Sequence, residues 1–141
     1  RFLMSLSESV DLVEHAFTHA ETGDLFVRKA PASTIEQLAR VLVKMFGAGE
    51  AKIKKIGFRH GEKLFESLLS VEERASAEDL GHYFRVPIDS RDLNYEEYFS
   101  EGIVRNPSLE AYTSHNARRL TDSELIDMLE SLPEISKELG K

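Results

Sequence analysis

Ten consecutive residues of this chain gather more usable chemistry than any other stretch. Gly57-Phe-Arg-His-Gly-Glu-Lys-Leu-Phe-Glu66 sets a guanidinium, two glycines and two carboxylates side by side. Arg59 offers a planar fork suited to phosphate oxygens. Gly61 lets the backbone come close to a ligand, and Glu62 can accept hydrogen bonds from vicinal hydroxyls. A diphosphate joined to a ribose calls for that combination. The segment therefore reads as half of a nucleotide-sugar site, with the other half outside this chain. The plainer alternative makes Arg59 a surface arginine paired with Glu62 or Glu66, worth little to stability. In that reading Glu62 merely favours a helix N-terminus. Lys63 reads as a solvated side chain.

Other reactive side chains are less well placed. His15 and His19 stand four apart on one predicted helix and could share a zinc ion. They lack the glutamate of a protease motif and a third ligand, so they read as surface histidines. His60 and His82 belong to no metal-binding pattern, and no metal site is expected. Ser114 beside His115 suggests a nucleophile and base, but sequence neighbours seldom adopt that geometry, and a hydrogen-bonded tail is the better reading. Tyr95, Tyr98 and Phe99 read as packing residues. Arg118-Arg119 is either a charged face at a helix start or a reach toward a neighbouring subunit.

The elements that must position these groups follow from pattern. Ser5-Leu-Ser-Glu8 is a capping box, and Leu6, Val10, Val13, Phe17 and Ala20 give the helix after it one apolar face. Thr22-Gly23-Asp24 ends that helix, and Leu25-Phe26-Val27 is a short strand. Ser33-Thr-Ile-Glu36 repeats the box before a helix presenting Ile35, Leu38, Ala39, Leu42, Met45 and Phe46, with Gly47 as its C-terminal cap. Ala51 to Ile56 reads as a strand leading into the Arg59 segment. Leu64 to Leu69 is a helical turn or a strand, and Val71 to Ala77 a polar loop or short helix. His82 to Pro87 is a strand, and Asp89 to Asn116 is irregular, with a turn at Asn106-Pro107. Thr121-Asp-Ser-Glu124 caps a final helix whose apolar face is Leu125, Met128, Leu129 and Leu132.

This order predicts a mixed α/β domain with a small sheet. Residues 1–88 form its body, and 89–141 an irregular tail plus the last helix. At 141 residues, 41% hydrophobic and 30% charged, the chain is globular and long enough for a real core. No apolar run approaches bilayer length, and no signal peptide opens the chain. The lack of cysteine excludes disulfides and thiolate metal sites and agrees with a cytoplasmic setting. A net charge of -7, from 25 acidic and 18 basic residues, argues against nucleic acid as the main partner. Small anions still fit local clusters such as Lys52, Lys54 and Lys55, or Arg118 and Arg119. No glycine-rich cofactor loop joins a strand to a helix. With Arg at position 1 running straight into a capped helix, the chain reads as the C-terminal portion of something longer.

Five motifs in fixed order carry a family likeness: Arg1-Phe-Leu-Met-Ser-Leu6, Gly23-Asp-Leu-Phe-Val27, Lys29-Ala-Pro-Ala-Ser-Thr-Ile35, Gly57-Phe-Arg-His-Gly-Glu-Lys63 and Tyr112-Thr-Ser-His-Asn116. Together they resemble the C-terminal region of CapD/CapE-type polysaccharide biosynthesis proteins of the extended short-chain dehydrogenase/reductase superfamily. Members are UDP-N-acetylglucosamine 4,6-dehydratases, often 5-inverting, and many are labelled UDP-glucose 4-epimerases. The resemblance implies a UDP-sugar-binding region serving capsular or surface polysaccharide biosynthesis. It implies an N-terminal Rossmann domain elsewhere, holding NADP or NAD and the proton-transfer residues, and a homo-oligomer. It also implies that Arg59 contacts the diphosphate, Glu62 the uridine ribose, and Arg1 the diphosphate from the other side. By itself the chain should not turn over substrate. The competing expectation is a free-standing, noncatalytic interaction domain whose helices show an exposed apolar patch.

Overall fold

A computed structural model describes residues 1–47, 49, 53–88 and 109–140. It has a mixed α/β fold, and the sheets among these residues are wholly antiparallel. The chain divides into two compact units, each assembled from separated stretches.

One unit takes residues Leu6–Lys29 and Ser67–Thr113. Helix α1 (Leu6–His19) leads into strand β1 (Leu25–Arg28), which pairs with β4 (Tyr83–Val86). On its other side β4 pairs with β3 (Glu78–Asp79), while β2 (Ser67–Leu69) pairs with β5 (Tyr112–Thr113). Between β2 and β3 lies α3 (Val71–Ser76), closed by a full Ser70/Glu73 capping box. Phe26, Val27, Leu69, Phe84 and Tyr112 are buried. Phe84 meets Tyr112 edge-on at 5.2 Å, with Lys29 and Arg74 over the rings. The turn from α1 to β1 is held by Asp24, whose side chain is 1% exposed and lies 2.7 Å from Arg85. The Glu21 amide and Arg85 hold the Asp24 carboxyl below the usual carboxylate range. Gly23 adopts φ +92°, and a Cβ there would stand 2.6 Å from Ile88 Cδ1.

Helix α1 forms where the capping pattern predicts, but its apolar stripe faces outward. Leu6, Val10, Val13 and Phe17 are all at least half exposed. The half-buried positions are instead Glu8, Ser9, Leu12, His15 and Ala16. His15 is not a plain surface histidine. It stacks on Tyr83 at 4.1 Å and on His19 at 4.2 Å, and meets Phe26 edge-on.

The other unit takes residues Arg1–Ser5, Ala30–Glu66 and Ser114–Lys141. Its core is Val41, Leu120 and Leu125, packed with Leu38, Met45, Ile126 and Leu129. Burying each of those aliphatic side chains is worth roughly 1.5–3 kcal/mol. Helix α2 (Ile35–Met45) supplies one wall and α4 (Asp122–Glu130) the other. The cap of α2 lies one residue later than the sequence pattern suggests. Thr34, not Ser33, accepts from the Gln37 amide, because the Ser33 hydroxyl is turned to the Thr34 carbonyl and Gln37 Oε1. The Thr121/Glu124 box on α4 forms as predicted. Leu132 is the extended residue before Pro133, which ends the α4 segment and opens α5 (Pro133–Glu138).

Two strand expectations change. Within Ala51–Ile56, residues 51 and 52 lie outside the described residues and 53–56 form no strand, with no pairing partner among the described residues. Lys55 instead reaches Glu36 at 2.8 Å. Within Asp89–Asn116, which reads as irregular, Tyr112–Thr113 pairs as β5. Tyr95, Tyr98, Phe99 and the Asn106-Pro107 turn lie outside the described residues.

Candidate functional site

The second unit's site begins with three extended segments laid side by side. Phe2 bridges Ala32 antiparallel, and Ala32 bridges Arg119 in parallel. The Arg1 backbone nitrogen donates to the Ser33 carbonyl at 2.7 Å, and the Ser33 amide returns a bond to Arg1 at 2.9 Å. On the far side the Leu120 amide donates to Ala32 at 3.0 Å. Ala32 is fully buried between its neighbours, so only a small side chain fits. Gln37 Nε2 ties this layer to α4 by donating to the Leu120 carbonyl and to Asp122, each at 2.9 Å.

The loop of residues 57–66 closes over that layer. The Glu62 amide donates to the Arg59 carbonyl at 3.0 Å, closing a four-residue turn whose third residue is Gly61 at φ +81°. A type II turn demands that geometry, and glycine adopts it without strain. The Arg59 amide donates to Glu62 Oε2 at 3.1 Å. Arg1 reaches the same loop: its guanidinium lies 3.6 Å from the Glu62 carboxylate and 3.6 Å from that of Glu66. It also donates to the Lys63 carbonyl at 3.2 Å. Glu66 accepts in turn from the Phe2 amide at 2.9 Å. Ser114, only 2% exposed, bonds the Glu66 backbone in both directions.

These contacts frame an open cleft of about 320 Å³. Its wall combines the start of α2 at Ser33, Thr34 and Ile35 with Phe58, Leu64 and Phe65, and with Arg1, Glu62, Lys63, Ser114, His115 and Arg119. Apolar faces beside a few convergent polar groups suit a small organic anion. Of the sequence-predicted residues, the structure brings Arg1 and Glu62 to this wall. Arg59 and Gly61 shape the turn behind Glu62 and do not line the cleft. Arg119, Lys63 and Ser114 line the same wall. Ser114 Oγ accepts from the Glu66 amide, which ties the hydroxyl to the end of the 57–66 loop. The His115 ring lies 6.0 Å from that of Phe65. Arg118 is drawn away to Glu124 at 2.6 Å. Among the described residues no group of three or more acidic or histidine side chains could hold a metal, and no helix is long and apolar enough to cross a membrane.

Comparison with known proteins agrees with the motifs. A UDP-glucose 4-epimerase of Rickettsia akari is 55% identical over 139 residues, and that of Rickettsia prowazekii is 54% identical. Each alignment covers 99% of this chain and 40% of the relative, so the chain spans well under half the length of those enzymes. The solved structure of Pen from Bacillus thuringiensis shares the fold, with a TM-score of 0.70 over 99% of this chain and 38% of its own, at 24% identity. Residues 89–136 match the family described as polysaccharide biosynthesis protein C-terminal. Residues 1–88 match the one described as polysaccharide biosynthesis protein, and the chain belongs to that family.

Proposed function

We propose that this chain is the UDP-sugar-binding region of a nucleotide-sugar enzyme, acting as a 4-epimerase or a 4,6-dehydratase in surface polysaccharide biosynthesis. One observation carries the reading: Arg1 and Glu62, far apart in sequence, meet at 3.6 Å on the wall of a mixed apolar and cationic cleft. The names of the relatives support the epimerase form.

In this reading Glu62 accepts the ribose hydroxyls. Its carboxylate is oriented from behind by the Arg59 amide and by Arg1, which leaves lone pairs for the ligand. Arg59 stands on the same turn, and the family likeness of its motif is what supports its contact with the diphosphate. Binding the nucleotide end, remote from the reacting carbon, supplies energy and orientation that serve the chemistry there. The reaction requires a nicotinamide cofactor, NAD or NADP. This chain has no glycine-rich loop between strand and helix to hold one, so no cofactor step falls to its residues.

The test is titration of UDP into the full-length protein by calorimetry, with Glu62→Gln beside the wild type. Binding weakened at least tenfold in the variant supports the reading, and wild type that ignores UDP defeats it. A second role has its own observation. The outward stripe Leu6, Val10, Val13 and Phe17 on α1 is the kind of surface that an interaction module presents. Phe17→Ser should then lower the assembly state seen by light scattering.

A further inference from the structure

Glu66 does not line the cleft, yet contacts from three segments converge on it behind the wall. Its backbone is fixed, because its amide donates to Ser114 Oγ and its carbonyl accepts from the Ser114 amide. One carboxylate oxygen, Oε2, accepts from the Phe2 amide at 2.9 Å, which sets the plane of the group. The other, Oε1, lies 3.6 Å from Arg1 Nη1. Arg1 turns its second amine, Nη2, the opposite way, 3.6 Å from Glu62 Oε1 and 3.2 Å from the Lys63 carbonyl. Each amine of the fork thus serves a different carboxylate, and neither carboxylate receives both. Glu62 Oε2 accepts from the Arg59 amide. At 3.6 Å the Arg1 cation stops short of a hydrogen bond to Glu62 Oε1, which accepts none among the described residues.

We infer that Glu66 is a positioning residue of this site: its negative charge holds Arg1 between two carboxylates and so keeps Glu62 Oε1 open to a ribose hydroxyl. An arginine facing a lone carboxylate closes into a charge-assisted pair at roughly 2.7–2.9 Å, often with both amines. Closure of that kind on Glu62 would occupy the lone pairs that the Arg59 amide leaves. Glu66 opposes it with an attraction of the same length from the other end of the guanidinium. The backbones agree with this division. Arg1 is fixed by two bonds exchanged with Ser33, and Glu66 by its two with Ser114, whereas Glu62 stands on an exposed turn. The place of the guanidinium is therefore set from behind the wall and not by Glu62.

The assignment rests on the nucleotide reading, since a ribose is what Glu62 meets there. UDP and 2′-deoxy-UDP are titrated by calorimetry into the full-length protein and its Glu66→Gln, Arg1→Gln and double variants. The ratio of the two affinities cancels whatever the diphosphate contributes. Glutamine keeps an oxygen for the Phe2 amide and removes only the charge, so thermal melting of Glu66→Gln should match wild type. Wild type should prefer UDP by about tenfold, the worth of a hydrogen bond to a charged acceptor. In Glu66→Gln that preference should shrink by about fivefold, the upper range for a partly exposed ion pair. Because the effect passes through Arg1, adding Glu66→Gln to Arg1→Gln should change the preference no further. A preference kept in Glu66→Gln overturns the assignment and spares the nucleotide reading. Equal weakening of both ligands with a lower melting temperature, the mark of a merely structural role, does the same. Wild type that binds both ligands equally also overturns the assignment, and wild type that binds neither overturns the nucleotide reading with it.

Discussion

Ser114 and Glu66 bond each other twice. The Ser114 amide donates to the Glu66 carbonyl at 2.8 Å, and the Glu66 amide donates to Ser114 Oγ at 3.0 Å. Through Glu66 this pair fixes the end of the 57–66 loop, and through the Glu66 carboxylate it reaches Arg1. Ser114→Ala removes the acceptor and leaves the Glu66 amide without its partner. The expected loss is about 1–3 kcal/mol, seen as a lower denaturation midpoint. An unchanged midpoint would show that water replaces the hydroxyl without cost.

Two glycines with positive φ should respond differently to the same substitution. Gly61→Ala meets nothing within 4 Å and pays only for its left-handed backbone, about 1–2 kcal/mol. Gly23→Ala adds a contact 2.6 Å from Ile88 Cδ1 and should be the more destabilising of the two. Chemical denaturation of both variants ranks them, and the reverse order counts against the packing of Ile88 on the turn.

The Thr121 amide, the Arg118 guanidinium and the Thr121 hydroxyl hold the Glu124 carboxyl down, from 4.5 to about 2. A carboxyl depressed in the folded state adds stability that is complete above its unfolded value and lost as pH falls through its folded one. The contribution of Glu124 is therefore intact above about 4.5 and fades between there and about 2. Glu124→Gln should be less stable than wild type at neutral pH, with the gap closing across that window. Urea midpoints at several pH values give the answer, and a gap constant in pH contradicts the contact.

Arg59→Ala in the full-length protein should weaken UDP-sugar binding or turnover at least tenfold while leaving the fold intact, because the Arg59 backbone makes the turn and its side chain does not. Kinetics equal to wild type would remove Arg59 from the diphosphate.

The helices were legible because their signals are local. The Thr121 box marks α4 from four residues of sequence, and the α2 cap was misplaced by one residue because Ser33 and Thr34 are both competent oxygens. The strand expected over 51–56 illustrates the converse: an apolar alternation does not create the partner that a strand needs. The outward stripe of α1 shows that periodicity reveals a face without revealing which way it turns. At the site, Glu62 was legible because a carboxylate stands beside a guanidinium and a glycine within four residues. Arg119 and Ser114 were not, since they arrive through pairings with Ala32 and Glu66 that span long stretches of chain.

The segments carrying Arg1 and Arg119 flank one alanine, and that arrangement makes Ala32 a gauge. Two adjacent bridge spacings, roughly 10 Å in total, separate the flanking backbones whatever the surrounding helices and loops become. Side chains on the wall can therefore drift in identity, and the loop in length, while the width offered to a ligand stays constant. A larger residue at position 32 finds no room and would break the layer itself rather than adjust its width.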